Sequence, residues 1–391
     1  MTPSHDHCPP LEQHIAANLA GSPIWWLDCV ALQQQAAAVL AALPTPYYAV
    51  KANSHPTVLR TLAAAGIRRF DIASVAELQR VQQAVPNVDC AFMNPFKPEP
   101  DIRVAWQAGV RLFALDSAAE LDKLLRATGG GPGACLLVRL ACTDSHADWE
   151  MSGKFGASDD EAMALLQRVA GHGMRCGLTF HIGSQCEQPA RYARMLRHAA
   201  ALADRAGVVP EIIDIGGGFA ARYRGDEPPL DAYRQAITGA LQQARPLLGP
   251  ATRLHSEPGR CLVAGAASVA VRVEARKGDL LILNDGKHGL LSELWWMPAR
   301  HPVRRLGLGR QTGPAPVPMQ DFALAGPTCD SGDLFRGPYR LPADTAPGDW
   351  LAIGCLGAYS LELATPFNGM GRHRILTSTQ PLATAAATGA P

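Results

Sequence analysis

Net charge is almost absent from this chain: 36 basic residues stand against 35 acidic ones, for a formal charge of +1. That balance offers neither a cationic groove for nucleic acid nor a basic face for an anionic membrane. Apolar runs of membrane-spanning length are missing too, and the polar, Pro-containing start, Met1 to Gln13, lacks the apolar core of a signal peptide. The expectation is a cytoplasmic protein without nucleic-acid or membrane partners. The ten cysteines form no C-x-x-C pair and no zinc-like spacing, so no metal is expected. Nine of them read as reduced, mostly buried small apolar residues. Cys329, the tenth, sits among other reactive residue types. A chain of 391 residues can bury a full core and divides naturally into one large and one smaller domain.

What is present is a repeat of short β-like runs and helical stretches from about residue 47 to 257. The runs end near Val50, Asp71, Met93, Leu115, Leu140, His181, Ile215 and Ser256. Between them the pattern Ser-x-x-Glu occurs at Ser74/Glu77, Ser117/Glu120 and Ser158/Glu161, the signature of a capping box at a helix start. Pro56 suits the first turn of another helix. Eight strand–helix units with crossover-length connections predict a (β/α)8 barrel of the α/β class; a doubly wound sheet is the alternative. After about residue 262 the pattern changes. Ala267 to Glu274 alternates with period two, Asp279 to Asn284 is β-like, and Gly and Pro recur up to Phe367. That predicts a C-terminal all-β domain, to which Pro23 to Leu27 can add a strand. The expected division is 1–27 as a segment joining the β domain, 28–262 as the barrel, 263–380 as the β domain and 381–391 as a loose tail.

The unusual residues fall at the strand ends: Lys51, Asp71, Asn94, Asp116, Arg139, His181, Gly216 and Glu257. In a barrel those ends share one mouth. A lysine there can bond covalently to a carbonyl cofactor, and pyridoxal phosphate is the candidate. Gly216-Gly217-Gly218 lets backbone N–H groups approach a phosphate closely, and Gly259-Arg260 can complete that cup. Glu257 can hold the pyridine nitrogen, or can simply pair with Arg260. His181 can stack on the cofactor ring, with Ser184 near the phosphate, or can be a structural histidine. Cys329 can deliver a proton to Cα, and Asp330 can orient a substrate amine; burial is the ordinary alternative for a thiol.

Taken in order, A-V-K-A-N at Ala49 to Asn53, F-D-x-A-S at Phe70 to Ser74, H-I-G-S-Q at His181 to Gln185, D-I-G-G-G-F at Asp214 to Phe219, E-P-G-R at Glu257 to Arg260, G-P-T-C-D at Gly326 to Asp330 and G-A-Y at Gly357 to Tyr359 resemble the fold-type III pyridoxal-phosphate decarboxylases. That group includes the ornithine, lysine and diaminopimelate decarboxylases, and the resemblance runs from about Pro23 to Gly369. It implies that Lys51 holds the cofactor, Asp71 supports it and His181 lies on the ring. It further implies Ser184, Gly217, Gly218, Arg260 and Tyr359 around the phosphate and Glu257 at the ring nitrogen. Arg139 and Lys154 would be supporting residues, and Cys329 the acid. A homodimer with shared active sites is implied as well, with Cys329 and Asp330 serving the partner subunit.

Substrate choice is less determined. Ornithine decarboxylases carry an aromatic-acidic pair where Trp296 and Met297 align here, and Met297 is a poor acceptor for an ammonium. Glu293 could substitute from nearby. Diaminopimelate decarboxylases carry Glu where Asp330 stands, with basic residues for a distal carboxylate; Arg300, Arg304 and Arg305 could do that, or could be solvated charges on a loop, the ordinary reading. A carboxylate-bearing conjugate, such as a citryl-diaminopropionate of siderophore assembly, ranks level with a plain basic amino acid of polyamine metabolism. A racemase would need a catalytic tyrosine and an arginine at the ring nitrogen; Cys329 and Glu257 stand instead. An inactive regulator should have lost cofactor residues, and a single-barrel carrier should lack everything after residue 262.

Overall fold

Runs such as Leu112–Leu115 are apolar at every position, which suits a strand buried on both faces. All four residues are buried in the computed structural model, which describes residues 11–12, 15, 21–142, 154–297, 300–308 and 317–378. The tail expected over 381–391, and most of the start, lie outside the described residues. The chain divides into two compact units: Gln35–Gly265 with Gly357–Glu362, and Met1–Gln34 with Ala266–Leu356 and Leu363–Pro391.

After β1 (Ile24–Leu27), the first of these units holds β2 (Tyr48–Ala49), β3 (Arg69–Ile72), β4 (Asp89–Phe92), β5 (Leu112–Leu115), β6 (Cys135–Leu140), β7 (Arg175–Phe180), β8 (Ile212–Asp214) and β9 (Arg253–His255). They pair in parallel and in sequential order, which excludes the doubly wound alternative. Closure comes from the edges: a parallel bridge joins Pro46 to Ser256, and Tyr47 N–H donates to Ser256 O at 2.8 Å. The barrel interior is packed by Tyr47, Ala91, Met93, Leu112, Ala114, Cys135, Leu137 and Ile212.

Only one of the three capping boxes forms as the spacing predicts. At Ser158, the Glu161 carboxylate accepts from the Ser158 N–H at 2.9 Å and from its hydroxyl at 2.7 Å. Ser74 caps Glu77 N–H, but the Glu77 carboxylate reaches Ala73 N–H instead. Ser117 caps Glu120 N–H, while the Glu120 carboxylate turns inward to the buried Lys97 at 3.1 Å and to Lys123 at 2.5 Å. Lys97 Nζ also donates to the carbonyls of Ala114 and Asn94, at 2.5 and 2.8 Å. Burial pushes its ammonium down to about 8 even though Glu120 pulls the other way. Lys97 thus ties the loop after β4 to the end of β5 on the mouth side. Lys97→Ala is expected to lower stability by about 3 kcal/mol, because it leaves those carbonyls and part of a buried ion pair unmatched. Urea unfolding checks this; a loss under about 1 kcal/mol would mean that the ammonium's desolvation cancels its bonds.

The second unit is built around one 8-stranded sheet. Its spine is β10 (Ala267–Lys277), with β11 (Leu280–Leu283), β12 (Val303–Arg305), β13 (Met319–Ala325), β14 (Leu334–Pro342), β15 (Trp350–Ile353) and β16 (Arg374–Thr377). β1 pairs antiparallel with β10 and parallel with β16, as the β-like start predicts. Leu11, Ile15, Ile24, Trp26, Ala270, Leu306, Trp350 and Ala352 pack together as its core. Among the described residues no helix is long and apolar enough to cross a membrane.

Candidate active site

β2 gives way to a single 3-10 turn, Val50–Ala52, which lifts Lys51 off the strand end. Its side chain is 40% exposed, and Nζ lies 3.4 Å from Asp71 Oδ2 at the end of β3, where the carboxylate is only 3% exposed. Burial pulls the Lys51 ammonium down, but the carboxylates of Asp71 and Glu257 outweigh it and the net direction is upward. His181 follows β7. The Gly183 N–H donates to His181 Nδ1 at 3.1 Å, so a neutral ring carries its proton on Nε2. Burial, then Arg139 and Lys51, hold this imidazole well below its usual range. A flat, uncharged ring facing the mouth is what stacking on a cofactor requires.

The triple glycine follows β8, and each position is closed to a side chain. A Cβ on Gly216 would stand 2.0 Å from Phe180 O, and one on Gly218 2.0 Å from Gly183 O; both have left-handed φ, +67° and +90°. A Cβ on Gly217 would meet Glu257 O at 2.6 Å and His181 Nε2 at 3.1 Å. Beside this backbone, Arg260 donates to Ser184 Oγ at 3.1 Å and to Tyr223 Oη at 2.8 Å. Its guanidinium lies 4.8 Å from the centre of the Tyr359 ring. Gly259 is the N-cap of the short helix Arg260–Val263 and packs on Ala49 and Ala52. Tyr359 has φ +58° and donates its N–H to Ala52 O at 2.7 Å, which ties Gly357–Glu362 to the Lys51 turn. The side chains of Ser184, Arg260 and Tyr359 gather beside the backbone of Gly217 and Gly218, an arrangement that could hold an anion.

Glu257 follows β9, and its N–H donates to Gly216 O at 2.8 Å. Burial, then Asp214 and Asp71, push its carboxyl well above the usual range. Asp214 accepts Gly216 N–H at 2.7 Å through Oδ1, whereas its buried Oδ2 has no partner; burial raises this group to about 7. Three carboxyl groups therefore crowd one cationic amine and Arg139. The mouth fits a group that brings a cationic ring N–H to Glu257 and a phosphate to the glycines, as pyridoxal phosphate does. Arg139 stands over the Phe155 ring at 5.3 Å, and Lys154 reaches the same ring at 4.8 Å. Residues 143–153, just before Lys154, are outside the described residues.

The remaining candidates lie in the β unit. Cys329 is exposed, whereas the eight other described cysteines are buried, so the ordinary reading of a buried thiol fails at this position. Asn368 Nδ2 approaches its Sγ at 3.3 Å. Asp330 is already engaged: Oδ2 accepts from Lys287 Nζ at 2.8 Å and from His288 Nε2 at 2.9 Å, and Oδ1 from Gly332 N–H at 2.8 Å. Lys287, then His288, hold its carboxyl well below the usual range. Trp296 is 51% exposed at the end of the helix Ser292–Trp296, while Met297 and Glu293 are buried. Arg300 is half-buried. Arg304 pairs with Glu12 at 3.0 Å and Arg305 with Asp344 at 2.6 Å, so both serve structural ion pairs.

Sequence reading missed four residues. Asp214 was in view within D-I-G-G-G-F, and an acid just before a triple glycine is a signal for a backbone clamp. Tyr223, Lys287 and His288 carry no local signal; they meet Arg260 or Asp330 only through the fold.

Comparison with known proteins agrees with this geometry. The family model "Pyridoxal-dependent decarboxylase, pyridoxal binding domain" matches residues 29–264. Ornithine decarboxylase of Mus musculus is 33% identical over 367 residues, covering 86% of this chain and 76% of that protein. The structure of lysine/ornithine decarboxylase from Vibrio vulnificus complexed with cadaverine is 31% identical, with a TM-score of 0.80 over 95% of this chain and 98% of the other. That of the Paramecium bursaria Chlorella virus arginine decarboxylase bound to agmatine reaches 0.84 at 25% identity, covering 94% and 99%. A parallel eight-stranded barrel with a strand-end lysine, a separate β domain and this family match together have one reading: the chain belongs to the fold-type III pyridoxal-phosphate-dependent decarboxylases of the ornithine, lysine and arginine type.

Proposed function

We propose that the protein removes the α-carboxylate of an L-amino acid at a centre made from the barrel mouth of one copy and the Cys329 loop of a second. The observation that carries this is the grouping of Lys51, neutral His181, buried Glu257 and the side-chain-free Gly217 backbone at one end of the barrel. Lys51 would bond the cofactor's carbonyl carbon, with Asp71 holding its ammonium until then. Ser184, Gly217, Gly218, Gly259, Arg260 and Tyr359 would bind the phosphate, and Arg139 would balance the carboxylates. His181 would cover one ring face and Glu257 would keep the ring nitrogen protonated. When bound, pyridoxal phosphate supplies the electron sink for the pair left at Cα as carbon dioxide departs. Cys329 Sγ–H would then give its proton to Cα and take another from water. Asn368 would orient that thiol.

The shared site is tested by mixing. Lys51→Ala and Cys329→Ala homodimers should each be inactive, and after exchange of subunits the mixture should regain about a quarter of wild-type activity, because half of the dimers carry one intact site. No recovery after verified exchange removes the shared site.

Two substrate classes remain in play. The named relatives support a free basic amino acid such as ornithine or lysine, in polyamine metabolism. Buried Met297 and the Lys287 ammonium on Asp330 support a diamino-acid conjugate carrying carboxylates, of the siderophore-precursor kind. Diaminopimelate shares that distal carboxylate. The free thiols of the described cysteines suit a reducing, cytoplasmic setting.

A further inference from the structure

We infer that Lys287 is a specificity residue that binds a carboxylate at the far end of the substrate's side chain, with Asp330 holding its ammonium in place. This rests on the reading of the Cys329–Asp330 loop as the substrate side of the centre.

A diamine-type side chain needs a free anion, yet both hydrogen bonds that Asp330 Oδ2 makes come from cations or potential cations: Lys287 Nζ at 2.8 Å and His288 Nε2 at 2.9 Å. Its other oxygen accepts Gly332 N–H at 2.8 Å. An incoming ammonium would have to displace Lys287 and then stand beside it, which is repulsive. Met297, the neutral buried residue on the adjacent segment, adds no second anion.

Lys287 is also placed rather than merely present. Its side chain is 18% exposed, its ammonium sits 5.1 Å from the centre of the Trp295 ring, and its N–H donates to Asp333 Oδ1 at 2.8 Å. Trp295 is pinned in turn by its Nε1–H bond to Gly332 O at 3.0 Å. His288 packs on Phe367 at 4.3 Å between ring centres, next to Asn368, which approaches the Cys329 thiol. An ammonium offers three donors, and Asp330 takes one. The remaining donors lie in the loop cluster that carries the proposed acid, flanked by an aromatic wall. A carboxylate can bind there without removing any bond already made.

Trp295 provides a readout independent of turnover. The cofactor-loaded full-length protein is titrated with glutarate, citrate and cadaverine while tryptophan fluorescence is followed. Wild type, Lys287→Met, Lys287→Arg and Trp295→Phe are compared. The dicarboxylates should give a saturable change that is absent in Trp295→Phe. Its half-saturating concentration should rise about 10- to 100-fold in Lys287→Met and stay within about threefold in Lys287→Arg. With Nδ-succinyl-L-ornithine as substrate, Lys287→Met should raise KM by a similar factor, and Lys287→Arg should keep it within about threefold.

Saturation by cadaverine alone, saturation by no ligand, or a dicarboxylate response indifferent to Lys287→Met each overturns the inference. Failure of subunit mixing with this response intact points instead at the reading of the loop as the substrate side. Loss of the response with mixing intact points at Lys287.

Discussion

Lys51→Ala should abolish the visible absorbance of protein-bound pyridoxal phosphate and lower decarboxylation by about four orders of magnitude, the scale of removing a covalent catalytic group. The physical case is specific to this mouth. Lys51 is the amine that faces Asp71 and Glu257, and their carboxylates hold its proton. Bonding to a carbonyl carbon requires that proton to leave. A ring that brings its own cationic N–H to Glu257 weakens that hold, so cofactor binding and release of the lysine proton reinforce one another. The alanine variant loses both the amine and the cation beside Asp71, so misfolding could mimic the effect. Lys51→Arg separates the two. It keeps a cation near Asp71 but is not a nucleophile, since the guanidinium stays protonated. Lys51→Arg should therefore fold with wild-type unfolding behaviour and still lack the absorbance. A visible band of normal intensity in Lys51→Arg would remove Lys51 from the attachment point.

Much of this arrangement was legible because strand ends in a parallel barrel converge whatever separates them in sequence. Each of the eight expected strand ends lies within about two residues of the observed one, from Ala49 in β2 to His255 in β9. Buried parallel strands announce themselves as apolar runs, and glycines bounding them mark where backbone must come close. The illegible part concerns what a polar side chain chooses among partners brought by the fold. Glu120 had the spacing of a capping residue but found Lys97, which sits 23 positions earlier in sequence. Asp330 had the spacing of an amine ligand but faces Lys287 and His288, more than 40 residues away. Local spacing states what a side chain can reach within its own helix or turn. It does not reveal that another element delivers a charge to the same point, and for a buried or half-buried carboxylate the delivered charge decides.

Glu257→Gln should leave the cofactor attached and the fold intact while lowering kcat about 10²- to 10³-fold, with KM changing far less. Glutamine preserves the shape of the side chain and the backbone bond to Gly216 O, so the glycine cup keeps its form. It removes one of three carboxyl groups that crowd the mouth. Burial, then Asp214 and Asp71, push the Glu257 carboxyl up, so replacing it by a neutral amide should let stability hold or rise by about 1 kcal/mol as buried repulsion is relieved. The catalytic cost has a different origin. A carboxylate at the ring nitrogen keeps that nitrogen protonated and able to draw in the electron pair released at Cα. An amide can donate its own N–H to an unprotonated nitrogen, satisfying the hydrogen bond without supporting the charge. Binding then survives and the electronic assistance does not. Absorbance spectra and steady-state kinetics on the same preparation separate these effects. Near-normal kcat in a loaded Glu257→Gln protein would show that ring protonation is held elsewhere, with Asp214 and its partnerless oxygen the next residue to examine.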